Sequence, residues 1–68
     1  MAFGIVTWNP LEISTFNVFA TIWDYDGIPL ADQTRSNGKR HVKVMIDDKK
    51  SVGFKQSLMR HNIDFKNL

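Results

Sequence analysis

The stretch TFNVFATIWD, Thr15–Asp24, decides how this chain is read. With a period of two, Phe16, Val18, Ala20 and Ile22 fall on one side and Asn17, Phe19, Thr21 and Trp23 on the other. The first side is uniformly apolar, so the stretch is expected to be the best strand of a sheet, with that side in the core. The second side is half polar yet carries two large aromatics. It is expected either to be covered by the protein itself or to touch a partner.

Working outward, FGIVTW (Phe3–Trp8) is short, rich in β-branched and aromatic residues, and stopped by Asn9-Pro10, which predicts a strand. Leu11–Ser14 reads as a loop or a short edge strand. On the other side, Asp26-Gly27 and Asn37-Gly38 are both hairpin signals. A two-residue turn at Asn37-Gly38 sets Ser36 opposite Lys39, Arg35 opposite Arg40 and Thr34 opposite His41. Counting further puts Asp32 opposite Lys43, Ala31 opposite Val44 and Leu30 opposite Met45. Pro29 starts its strand late or places it at an edge. Arg40–Ile46 then alternates, with Val42, Val44 and Ile46 inward.

Asp47 or Asp48 offers an N-cap for a helix. On its wheel Val52, Phe54, Leu58 and Met59 share one arc, with Lys55 inside it, while Lys49, Lys50, Ser57 and Arg60 share the other. Asn62 suits a left-handed terminator after His61, and Ile63–Lys66 alternates as a short last strand. The competing reading continues Val52-Gly53-Phe54 as strand. The expected class is α+β: a small antiparallel sheet of three to five strands, a β-meander, with one helix from the C-terminal half packed on one face. All 68 residues are expected to form a single small domain.

With 68 residues the chain is too small for a two-domain enzyme or a nucleotide fold of several βαβ units. At 43% apolar residues it is too hydrophobic for a disordered tail. A domain of this size buries only about 60% of the surface its unfolded chain exposes, and without cysteine it has no disulfide or zinc–thiolate site to widen the margin. A homodimer is therefore among the expected states. No basic segment followed by an apolar run opens the chain, and the longest mostly apolar stretch, Phe16–Trp23, falls far short of a bilayer span. A cytoplasmic protein without membrane contact is expected.

The net charge of +2 hides a partition. Residues 1–34 hold no Lys or Arg and four acids, Glu12, Asp24, Asp26 and Asp32. Residues 35–68 hold all nine bases and three acids, so the halves carry −4 and +6. Such an asymmetry points to an anionic partner. The bases gather as Arg35, Lys39, Arg40, His41 and Lys43 on the Asn37-Gly38 hairpin, and as Lys49, Lys50 and Arg60 on the helix. A basic β-ribbon can follow a nucleic-acid backbone or enter a groove. Lysines at a helix N-terminus oppose the dipole, which suggests a use outside the helix, although solubility alone also explains them. Phe19, Trp23 and Tyr25 are the candidate protein-contact residues, because Asp24 and Asp26 beside them repel phosphate.

Chemistry is poorly supported. His41, Lys43 and His61 imitate the acid, base and phosphate ligands of a metal-free ribonuclease, but nothing sets His61 beside His41. Asp24-x-Asp26-Gly27 echoes the opening of a calcium loop and lacks the closing glutamate. No catalytic residue, cofactor site or metal site is expected. The leading expectation is a non-enzymatic nucleic-acid-binding protein. The alternatives are a small regulatory or inhibitory protein of the viral or mobile-element type that binds another protein, and a structural or assembly subunit.

Overall fold

The computed structural model describes residues Met1–Leu68. Its elements, in chain order, are β1 (Ala2–Trp8), α1 (Thr15–Asp24), β2 (Ile28–Pro29), β3 (Thr34–Ser36), β4 (Lys39–Ile46), α2 (Asp48–Arg60) and β5 (Asp64–Asn67). The class is α+β, an antiparallel five-stranded sheet with two helices. The lateral order is β2-β4-β1-β5, with β3 continuing β2 along the same edge of β4. The sheet is therefore not the expected β-meander and carries two helices instead of one, because the chain crosses over through each helix before it pairs with β1. No helix is long and apolar enough to cross a membrane.

Thr15–Asp24 is a helix, so the expected principal strand is overturned. The local cause is a cap. The Ser14 side chain accepts a hydrogen bond from the Asn17 N–H at 3.1 Å, satisfying one of the free donors of a first helical turn. The tertiary cause is width. A sheet four strands wide spans about 19 Å at about 4.8 Å per strand, whereas a helix with its side chains is about 10 Å across. The helix α2 alone leaves half the sheet bare, and Thr15–Asp24 is the apolar segment available to cover the rest. Only Val18 and Ile22 of α1 are buried, at i and i+4, while Phe16 is 74% exposed.

With α1 a helix, Asp26-Gly27 is its C-terminus rather than a hairpin. Asp26 takes the left-handed conformation at φ 57°. Its N–H donates to the Trp23 carbonyl at 2.9 Å, and the Gly27 N–H donates to the Ile22 carbonyl at 2.8 Å. The other helix ends the same way. Asn62 is left-handed at φ 57°, and the Ile63 N–H reaches the Leu58 carbonyl at 3.0 Å, as expected for this terminator. Asp47 caps α2, its carboxylate accepting from the Lys49 N–H at 2.8 Å.

The Asn37-Gly38 turn has the expected register: Ser36 opposite Lys39, Arg35 opposite Arg40 and Thr34 opposite His41. Both turn residues have positive φ, 54° and 75°, the combination of a tight hairpin turn. Beyond Thr34 the expected count fails. Pro29 pairs with Val44 and Ile28 with Met45, and the Leu30 N–H donates to the Lys43 carbonyl at 2.8 Å. Between the Pro29–Val44 and Thr34–His41 pairs, one strand advances five residues and β4 only three. Two extra residues therefore loop out, and neither Asp32–Lys43 nor Ala31–Val44 nor Leu30–Met45 is a cross-strand pair. Pro29, which has no N–H to give, sits at the break.

The core lies between the helices and one face of the sheet: Val6, Trp8, Val42, Val44 and Ile46 below, Val18, Ile22, Phe54 and Leu58 above, with Ile63 closing one end. Val52 and Met59, expected in the α2 core arc, point outward, and Ser57, expected on the outer arc, is buried. The Trp8 indole N–H donates to Thr15 Oγ1 at 3.3 Å, which ties β1 to the start of α1. Gly4 makes room for the Phe65 ring. A Cβ there would lie 2.2 Å from the ring, so no larger residue fits without displacing the Phe65 side chain.

Candidate nucleic-acid interface

Both helices lie on one face of the sheet, so the other face is open. Cross-strand partners share a face, and the register therefore identifies its occupants. Thr7 stands between His41 and Asp64, Ile5 between Lys43 and Lys66, and Phe3 beside Met45, which in turn meets Ile28. Thr34 adjoins His41, and Ser36 adjoins Lys39 at the hairpin end. The face thus grades from apolar Phe3, Met45 and Ile28 at one end to Lys39, His41 and Lys43 at the other.

Its charge leans positive. Three lysines, Lys39, Lys43 and Lys66, share this face with the strand carboxylate of Asp64, and Asp32 borders it, so cations outnumber carboxylates three to two. Ion pairs join only Lys50 to Asp26 and the Met1 ammonium to Asp48, so the three lysines of the open face are unpaired and exposed. Lys43 and Lys66 flank Ile5 from opposite strands, about 10 Å apart at two strand spacings. His41 is half-buried, its Nδ1 2.9 Å from Thr7 Oγ1; which atom donates depends on the ring tautomer. The residues that loop out after Leu30 border a shallow groove along this face, lined by Ile5, Ala31, Asp32, Thr34, His41 and Lys43. Asp32 and Lys43 thus share a groove without being paired.

The expected basic constellation is divided between surfaces. Lys39, His41 and Lys43 are together on the open face. Arg35 and Arg40 are cross-strand neighbours of the opposite parity, the face that carries Trp8 and the helices. Arg40 is folded back: its Nη1 donates to Gln33 Oε1 at 3.0 Å, and its Nε is buried without a partner. Lys49 and Lys50 open α2 at the end of the sheet remote from the hairpin, with Lys50 held by Asp26. Arg60 closes α2 in the helical layer. His61 borders a cleft with Ile13, Asn17, Ala20 and Thr21 of that layer, away from His41. No group of three His, Cys, Asp or Glu side chains comes close enough to hold a metal ion.

Lys66 was not among the expected contacts. Its signal was the alternation of Ile63 and Phe65 with Asp64 and Lys66, which acquires meaning only once β5 is known to pair with β1. The expected protein-contact residues also separate. Tyr25 is half-buried against Phe54, ring centroids 5.9 Å apart, and over Gly53. Phe19 lies edge-on to Trp8 at 6.1 Å, and Trp23 leans on Phe19 at 5.7 Å while remaining 55% exposed. Against models of known families, curated proteins and solved structures, the chain finds no match.

Proposed function

We propose that this chain is a small, non-enzymatic nucleic-acid-binding protein that lays a phosphate backbone across its open sheet face. Lys39, Lys43 and Lys66 hold phosphates, and His41 and Thr7 add polar contacts between them. The carrying observation is that the one sheet face no helix covers gathers three exposed lysines, none of them in an ion pair. These cations are spread over separate strands rather than along one ribbon, which suits a single strand lying on the sheet better than a duplex groove. Phe3, 43% exposed, is the one aromatic ring available for stacking there. Arg35 points to the opposite face of the hairpin and stands outside this site. Lys49, Lys50 and Arg60 belong to the helical layer and leave this reading unchanged when neutralised.

The test is a salt titration of binding to labelled single-stranded and duplex oligonucleotides. Three to four phosphate contacts predict a roughly 20- to 50-fold loss of single-strand affinity between about 50 and 200 mM salt. Replacing Lys43 and Lys66 by Ala lowers the log–log salt slope by about 1.4. Binding that is undetectable, or indifferent to salt, overturns the proposal. The alternative of a regulatory protein acting on another protein draws support from a different surface, the outer side of α1.

A further inference from the structure

The outer side of α1 is built the wrong way round for a surface helix. Val18 and Ile22 face the sheet, as they should. One half-turn away, where polar residues belong, stand Phe16, Ala20 and Trp23, at positions i, i+4 and i+7. Phe16 is 74% and Trp23 55% exposed, and no element of the chain covers them. The helix carries one charged residue, Asp24, in its last turn, where a carboxylate opposes the dipole; it has no acid in its first turn and no base in its last.

We propose that this face is the contact between two copies of the chain, whose α1 helices pack antiparallel about a two-fold axis near Phe19 and Ala20. The sequence is self-complementary in that arrangement. Phe16 of one copy meets Trp23 of the other, and the small Ala20 meets Phe19. Asp24 arrives beside Thr15 of the second copy, at the acid-free N-terminal turn whose dipole favours a carboxylate. A parallel pairing instead sets Asp24 against Asp24 and aligns the two dipoles. Two aromatic rings per copy, at those exposures, provide about 500 Å² of aromatic surface counting both copies. That is roughly a third of a standard interface of about 1,600 Å², so the dimer is weak and transient and its population rises with concentration. The contact lies in the helical layer and leaves both open sheet faces free. It stands whether or not those faces bind nucleic acid.

Sedimentation of the full chain from about 10 µM to 1 mM, without nucleic acid, tests this. The weight-average mass is expected to rise from 7.9 kDa toward twice that value. Phe16→Ser moves the midpoint at least tenfold higher in concentration, and Asp24→Lys several-fold higher. Both variants keep the wild-type far-ultraviolet spectrum, and at monomeric concentration Phe16→Ser keeps the wild-type melting temperature while Asp24→Lys melts no lower. A strict monomer at 1 mM overturns the proposal and leaves the α1 face to a different protein. A dimer indifferent to Phe16→Ser, or growth beyond the dimer, overturns it equally.

Discussion

The helices α1 and α2 cover the same face of one sheet, yet their outer sides differ. The outer side of α2 mixes Val52 and Met59 with Lys49, Gln56 and Arg60, the composition of a helix content with water. That of α1 has Phe16, Ala20 and Trp23, and its polar residues, Asn17, Thr21 and Asp24, are confined to one flank. Burial explains the inner residues of both helices. It explains nothing about the outer residues of α1, whose exposure carries a hydration penalty that folding alone does not relieve. The comparison separates two demands on one sequence: closing a core, which both helices meet alike, and presenting a surface, which they meet differently.

The largest test of the shared demand is Phe54→Ala in α2 beside Ile22→Ala in α1. Both side chains are fully buried, so each change is expected to cost about 2–5 kcal/mol of stability by chemical denaturation. A cost below about 1 kcal/mol at Ile22 would break the equivalence and mark α1 as loosely docked. Next in size are the caps. Ser14→Ala and Asp47→Ala each remove a hydrogen bond to a first-turn N–H and should each cost about 1 kcal/mol. Asp47 also places a carboxylate at a helix N-terminus, so its loss should be the larger and should shrink with added salt. Smallest are the outer faces. Phe16→Ser and Met59→Ser, both at 74% exposure, should leave the monomer within about 0.5 kcal/mol of wild type. Only the former should alter the concentration dependence of mass.

The same contrast explains what was readable in the chain. The wheel of α2 sets Phe54 and Leu58 in one apolar arc, so these buried residues, a cap at Asp47 or Asp48 and the terminator at Asn62 are legible. Val52 and Met59 were misplaced because composition does not say which part of a broad apolar arc meets the sheet. In α1, apolar residues cover so much of the circumference that they satisfy any period. Phe16, Val18, Ala20 and Ile22 alternate as a strand would, while Val18 and Ile22 alone carry the helical repeat that burial selects. Ser14 was the one local sign of a helix start.

For the candidate site, the hairpin register from Asn37-Gly38 correctly joined Lys39, His41 and Lys43. It could not exclude Arg40, because a hairpin alternates its faces without saying which of them a helix will cover. Nor could it continue past Thr34, where two residues loop out and the cross-strand pairing of Asp32 with Lys43 disappears. Lys66 joins Lys43 only through Ile5, across a strand 38 residues from β4's Lys43 in sequence.

The partition into a −4 half and a +6 half is a property of the sequence alone, as are the hairpin turn, an aspartate cap at Asp47 or Asp48, the Asn62 terminator and the alternation of Val42, Val44 and Ile46. These depend on neighbours along the chain, where the relevant energies are local. Tertiary structure decided that Thr15–Asp24 is a helix, because the sheet is wider than one helix can cover. It also decided which bases act together. Helical and strand layers interleave the two halves, and the face that no helix reaches keeps three lysines free of ion pairs.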